Sequence, residues 1–196
     1  MDGNRRIRRP KALTRGGRVF LRHPSKQDQE EFLAKARSSR RFHYPWVTPA
    51  TTPEMFGDYL RFAERDDVCA LLVCRLDNGQ IVGTINLSQI FLRGFQNAVM
   101  GFWAVAEYAG QGYISEGLRL AIRYGFTDLK LHRLEANIQP ENLRSRELVQ
   151  RIGFRLEGFS PRYLKIAGRW RDHERWAICR EEWRGADPPL PKAADS

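Results

Sequence analysis

The stretch that most constrains this chain is Glu107-Tyr108-Ala109-Gly110-Gln111-Gly112-Tyr113, together with its flanks. Ahead of it, Ala98-Val99-Met100-Gly101-Phe102-Trp103-Ala104-Val105 is short, apolar and bounded by polar residues, which predicts a buried strand. Behind it, Glu116, Arg119, Arg123, Thr127 and Lys130 recur at three- and four-residue steps, while Ile114, Leu118, Ala121, Ile122 and Leu129 fill the opposite side. That pattern predicts an amphipathic helix from Ser115 to Leu129. The glycines therefore sit where a strand ends and a helix begins. There the first helical N–H groups lack backbone partners and the helix dipole favours negative charge. Glycines without Cβ atoms let those N–H groups close on a phosphate. The expected result is a cradle for the pyrophosphate of a nucleotide-like cofactor; the plain alternative is a turn. Ser115, standing where a third glycine would be needed, breaks the Rossmann fingerprint, and no Gly-Lys-Ser/Thr follows to make a Walker loop.

Taken from its start, the chain opens with a strand at Arg18–Arg22 and a helix after Ser25, with Asp28 in capping-box position. Phe42 to Pro49 is expected to be an aromatic loop rather than helix, because proline disfavours the α region just before it. Thr52-Pro53 starts a second helix with Phe56, Tyr59, Leu60 and Ala63 as its inward stripe. Cys69–Leu76 and Gln80–Ser88 flank Asp77-Asn78-Gly79, a strong hairpin signal. After the long helix, His132–Ile138 returns as a strand, and strand–helix–strand implies a right-handed parallel crossover. A helix from about Asn142 ends at Gly153, and the strands Arg155–Ile166 and Arg169–Cys179 turn at Ala167-Gly168. The sum is α/β: one domain at 18–184, its mixed seven-stranded sheet mostly antiparallel and parallel at the centre, flanked by about four helices.

Charge is uneven along the chain. Residues 1–22 hold Arg5, Arg6, Arg8, Arg9, Lys11, Arg15, Arg18 and Arg22 against Asp2 alone, out of a formal net charge of +10. Residues 1–17 therefore read as a mobile basic arm, serving either phosphate-backbone contact with RNA or a ribosome, or solubility. Residues 185–196 read as a flexible tail. No apolar run approaches a membrane span, the N-terminus lacks a secretory core, and Cys69, Cys74 and Cys179 show no metal spacing; a cytoplasmic protein without metal or membrane association is expected. Monomer and homodimer are both open.

Four further motifs, in order, accompany the Gly110-Gln111-Gly112 loop: His132-Arg133-Leu134-Glu135-Ala136, Pro140-Glu141-Asn142-Leu143-Arg144-Ser145, Ile152-Gly153-Phe154-Arg155-Leu156-Glu157-Gly158, and Gly168-Arg169-Trp170-Arg171-Asp172-His173. With them, Val19 to Trp183 resembles the GNAT acetyltransferase superfamily, and within it the RimJ/RimL group of ribosomal-protein N-terminal acetyltransferases. The resemblance implies acetyl-coenzyme A bound between splayed central strands. Trp103, Ala104 and Val105 would hold the pantetheine, Gly110, Gln111, Gly112, Tyr113 and Ile114 the pyrophosphate, and Asn142 would touch the cofactor. Ser145 falls where RimL-type enzymes place a serine proposed to protonate the thiolate. Glu107 departs from the superfamily's Gln or Arg, and the carboxylate bases proposed for the RimL and RimI groups fall on Leu164 and Asn137.

The implied reaction is direct attack of a neutral amine on the thioester. An α-amine has a pKa near ~8 and a lysine near ~10.4, so a weakly furnished site suits a protein N-terminus, with a ribosomal protein as the implied acceptor. Glu135, on the same strand face as Asn137, is the nearest candidate base; its rival role is a buried carboxylate tying strand to loop. Tyr44, Trp46, Tyr163 and Trp170 are candidates for the acceptor groove, against ordinary packing. Two other functions stay open at this point: acetylation of a small amine such as a polyamine or antibiotic, and an RNA- or ribosome-binding module on the same fold.

Overall fold

The computed structural model describes residues 12–184. Strands β1 (Thr14–Arg15) and β2 (Val19–Arg22) lead through a 3-10 turn into α1 (Gln29–Ser38), α2 (Arg40–His43) and α3 (Pro53–Ala63). The hairpin β3 (Cys69–Arg75) and β4 (Ile81–Phe91) follows, then β5 (Asn97–Ala104), α4 (Tyr113–Thr127), β6 (Arg133–Ile138), α5 (Leu143–Ile152), β7 (Arg155–Ile166) and β8 (Arg169–Cys179). They form one open sheet of eight strands in the order β1-β2-β3-β4-β5-β6-β8-β7. Every neighbouring pair is antiparallel except β5 and β6, the expected parallel centre.

Three expectations need correction. The sheet has eight strands rather than seven, because Leu13 N–H bonds Leu21 O and Gly16 N–H bonds Val19 O, both at 2.8 Å. The free edge of β2 offers unpaired backbone groups, and residues 13–16 take them up, so part of the expected arm is folded onto the domain. The rest of the arm, 1–11, and the tail, 185–196, lie outside the described residues. Phe42 and His43 belong to a fifth, one-turn helix, α2; the proline restriction acts on Tyr44 alone, which is extended at ψ 136°. Finally, β4 runs on to Phe91, beyond Ser88.

The helices cover both sheet faces. On one, Phe32 of α1 meets Phe56 of α3 at 5.0 Å and the Trp103 ring of β5 edge-on at 5.4 Å. On the other, α4 lies so close that a Cβ on Gly117 would sit 2.8 Å from Val73 Cγ1. A buried bidentate pair, Arg22 with Asp28 at 2.9 and 2.6 Å, ties β2 to the entry of α1.

The feature that positions the site is a fork in the sheet. β5 and β6 pair only through Asn97↔Arg133, Ala98↔Leu134 and Val99↔Glu135. Beyond Val99, β5 continues along β4 to Gly83↔Ala104 and β6 continues along β8 to Ile138↔Glu174, without pairing each other.

Candidate acetyl-donor and acceptor site

The glycine loop closes one arm of the fork. Gly110 and Gly112 have φ of +77° and +82°, a left-handed backbone in which residues with a Cβ are strained. A Cβ on Gly110 would meet nothing within 4 Å, so the loop faces open space. The first amide of α4 with a main-chain acceptor is Glu116 N–H, bonded to Gly112 O at 3.0 Å. The amides ahead of it are the free donors of a helix start, and an anion is what they suit.

The loop is held by cations and tyrosines from earlier elements. Arg18 donates from Nη1 to Gln111 O at 3.0 Å, pairs through Nε with Glu116 at 3.2 Å, and lies over the Tyr113 ring at 4.9 Å. Arg75 stands 5.6 Å from the Tyr108 ring centroid and 5.5 Å from that of Tyr113. Glu107, the departure from the superfamily pattern, is neutralised by Lys35 Nζ at 2.8 Å. Partial burial works against the Lys35 ammonium, but its bonds to Glu107 and Tyr108 outweigh that and raise its pKa. A carboxylate at the loop's start therefore leaves the surroundings cationic. Neither Lys35 nor Arg75 is singled out by sequence, since their contacts arise only when α1 and β3 reach the loop.

The open edge of β5 is the second component. Val105 N–H bonds Val82 O at 2.9 Å, and alternation along an antiparallel ladder then turns the main-chain groups of Ala104 and Phe102 toward the fork. His43 reaches this edge: its Nε2–H donates to Ala104 O at 2.8 Å, and its ring meets Trp103 at 5.0 Å. Burial lowers the His43 pKa, partly opposed by that bond, and its buried Nδ1 has no partner. The neutral ring thus fixes the end of the strand. Ser39 adds a second anchor, its hydroxyl accepting from Ala106 N–H at 2.9 Å.

Across the fork, Asn142 caps α5, its Oδ1 accepting from Ser145 N–H at 3.3 Å. Ser145 is half-buried in the first turn. Arg146 Nε lies 2.8 Å from the buried Glu174, which also accepts from Trp176 Nε1 at 3.0 Å. Glu135 faces the side with Val99 but is engaged: Arg133 Nε donates to it at 2.8 Å, and Arg133 also pairs with Glu157, which pairs with Arg155. The partner of Glu135 is thus a residue of its own strand, linked on to β7, and not of a loop.

A cavity of about 290 Å³ on this sheet face is lined by Phe32, Val47, Pro49, Tyr59, Asn86 and Trp103. Register puts Asn86, Gly101 and Trp103 on the same sheet face as Val99 and Glu135. Tyr59 OH donates to Asn86 Oδ1 at 3.1 Å. The loop expected to cover a groove does so through Val47 to Ala50, whereas Tyr44 is 74% exposed and Trp46 touches the strand end through its carbonyl, 3.4 Å from Gln139 Nε2. Tyr163 lies against His173, ring centroids 6.1 Å apart, and Trp170 is 61% exposed near the hairpin tip. Neither Tyr163 nor Trp170 lines the cavity. Asn86, missed from sequence, is one of the polar residues Thr84, Asn86 and Ser88 that alternate with apolar ones along β4, and the sequence does not set it apart from them. Among the described residues no group of three or more His, Cys, Asp or Glu gathers, and no helix is long and apolar enough to cross a membrane.

Comparison with known proteins bears on the family and the fold. Residues 18–155 match the acetyltransferase (GNAT) domain family. The Escherichia coli [ribosomal protein uS5]-alanine N-acetyltransferase is 36% identical over 107 residues, which are 55% of this chain and 55% of that enzyme, so the match spans about half of each. The structure of Mycobacterium smegmatis RimJ in complex with CoA-disulfide superposes with a TM-score of 0.75 at 28% identity, covering 85% of this chain and 84% of that one. The spermidine N-acetyltransferase of Vibrio cholerae, solved with CoA and spermine, gives a TM-score of 0.72 over 84% of this chain and 97% of its own; at 20% identity the likeness concerns the fold alone. The chain belongs to the GNAT acetyltransferase family.

Proposed function

We propose that this member of the GNAT acetyltransferase family acetylates the N-terminal α-amine of a protein, with a ribosomal protein as the first candidate, by direct attack in a ternary complex. The observation that carries the reading is the fork between β5 and β6, with an amide-rich glycine loop on one arm and the Asn142–Ser145 start of α5 on the other. Acetyl-coenzyme A supplies the activated acetyl thioester. The amides of Gly110, Gly112, Tyr113 and Ile114 would hold its pyrophosphate, with Gln111, whose N–H bonds Tyr108 O, shaping the loop between them. The Trp103, Ala104 and Val105 end of β5, where the Ala104 main chain faces the fork, would hold its pantetheine, and Asn142 would add a side-chain contact.

The amine nitrogen forms the new N–C bond as the C–S bond breaks. The amine's proton leaves to water, and the thiolate takes a proton that the Ser145 hydroxyl relays from solvent. Main-chain N–H groups on the open edge of β5 are the donors we assign to the developing oxyanion. Among the described residues the carboxylates of the site are engaged: Glu135 by Arg133, Glu174 by Arg146 and Trp176, and Asp58, which lines the cavity, by Arg61. An α-amine, neutral in appreciable fraction near pH 8, needs no strong base, whereas a lysine near ~10.4 does. A cytosolic setting suits the three free cysteines, of which Cys69 and Cys74 are buried and pushed up to about 11 and about 12.

A polyamine acceptor is the second reading, favoured by the fold shared with spermidine acetyltransferases. Against it, Arg133 and Arg175 accompany Glu135 and Asn137 on the acceptor face. The deciding assay follows release of free CoA with peptides beginning Ala, Ser or Met, N-blocked lysine peptides, and spermidine. Turnover confined to free small N-termini, with kcat/KM rising to a plateau near pH ~8, is expected. Turnover with spermidine and none with peptides overturns the proposal.

A further inference from the structure

The distal half of the β7–β8 hairpin, residues 160–172, projects past the end of β6, whose last paired residue is Ile138↔Glu174. It therefore stands beside the mouth of the fork, at the β7 edge of the sheet. In those thirteen residues Arg162, Lys165, Arg169 and Arg171 face a single carboxylate, Asp172, which is occupied by Arg162 N–H at 2.7 Å. Among the described residues none of these four cations forms a salt bridge, and Arg171 Nε is buried without a partner. Cations in other parts of the fold, such as Arg18, Arg22, Lys35, Arg133 and Arg155, do have carboxylates.

The spacing is also informative. Arg169, Arg171 and Arg175 are separated by even steps on β8, so they share one face, the two nearest roughly 7 Å apart along the strand. Lys165 and Trp170, cross-strand partners, point to the other face. Trp170, Tyr163 and Phe159 are large aromatics left in solvent. Cations on both faces of a projecting ribbon, interleaved with exposed rings, suit a polyanion that also offers planar bases.

We propose that the distal β7–β8 hairpin is an RNA-docking surface, its arginines and Lys165 contacting phosphates and its exposed rings stacking on unpaired bases. The proposal deepens the protein-acceptor reading and rests on it for its purpose: a substrate N-terminus carried on RNA would be held beside the fork.

The test is binding of the full chain to a fluorescein-labelled RNA stem-loop, without acetyl-CoA, across a salt series. Wild type is compared with Arg169→Gln/Arg171→Gln and with a charge-matched control on other exposed cations, Arg93→Gln/Arg151→Gln. The hairpin variant is expected to lose about tenfold or more in affinity and to flatten the salt slope by roughly 1.5, at about 0.7–0.9 per phosphate contact; the control is expected to change by less than about threefold. Turnover on a free peptide should be unchanged by either pair. Equal losses in both variants, no loss in the hairpin variant, or no RNA binding by wild type would overturn the proposal, as would wild type binding an acidic peptide in place of RNA. Because binding is read without the cosubstrate, its failure is distinct from failure of the acetyl-transfer assay.

Discussion

Among the turns that carry left-handed residues, two are held in opposite ways. In the glycine loop, Gly110 and Gly112 are clamped by Arg18, Lys35 and Glu116 and flanked by the buried Val105, Tyr108 and Ile114. In the β7–β8 turn, Ala167 and Gly168 take the same backbone region at φ +47° and +80°, but β7 is exposed along nearly all its length. In the proposed roles, the first turn recognises with main-chain groups, which must be fixed in place, and the second presents side chains, which need only a ribbon to carry them. A donor shared by many enzymes calls for the former, and an acceptor or partner particular to this chain for the latter.

The strongest perturbation strikes the scaffold beneath the clamped region. Asp28→Ala leaves the buried Arg22 guanidinium unpaired and should cost about 3–5 kcal/mol, read as a lowered denaturation midpoint. Replacing both partners by apolar residues should recover much of that loss. Next, Gly112→Ala and Gly168→Ala place a Cβ at nearly the same φ, each with about 1–2 kcal/mol of strain. Only Gly112→Ala, whose Cβ would press on Arg18 Nη2 at 3.0 Å, should weaken acetyl-CoA binding, by about tenfold in calorimetry. Equal effects on binding would erase the distinction between the two turns.

Ser145→Ala should lower kcat by about tenfold with KM unchanged, below the usual range for general acids because a thiolate departs readily. Glu135→Gln should change turnover by less than about threefold; a hundredfold loss would make it the base after all. The smallest effect is on stability. Burial is the main cause lowering the pKa of both His43 and His173 in the fold. Near pH 6.5 and below, the unfolded chain binds protons that these rings refuse, so their contribution is complete above that pH and declines as pH falls toward the folded values. Urea midpoints should therefore fall between pH 7.5 and 5.5, and less so in His43→Phe.

The contrast between the turns also governs how much the sequence discloses. Gly110-Gln111-Gly112 between an apolar strand and an amphipathic helix is legible because glycine spacing encodes backbone shape directly. Asn142 and Gly153 bracket α5 as their capping chemistry requires, and Asn78-Gly79 and Ala167-Gly168 announce their hairpins. His43, Lys35 and Arg75 were not legible, since their roles depend on which side chains α2, α1 and β3 bring to β5 and the loop. Tyr163 and Trp170 show the same limit from the other direction. Their residue type suggested a groove, but strand register carries them onto a projecting hairpin away from the cavity. The strand at Thr14–Arg15 was hidden for a different reason: two residues hold no periodicity, and only the vacant edge of β2 recruits them.

The most direct test of the central claim uses one peptide with a free alanine N-terminus and an internal lysine, incubated with the enzyme and acetyl-CoA and sequenced by tandem mass spectrometry. A single acetyl group on the α-nitrogen, absent from the Gly112→Ala enzyme at low acetyl-CoA and restored at high concentration, is the expected result. Acetylation of the lysine in preference to the N-terminus would contradict it.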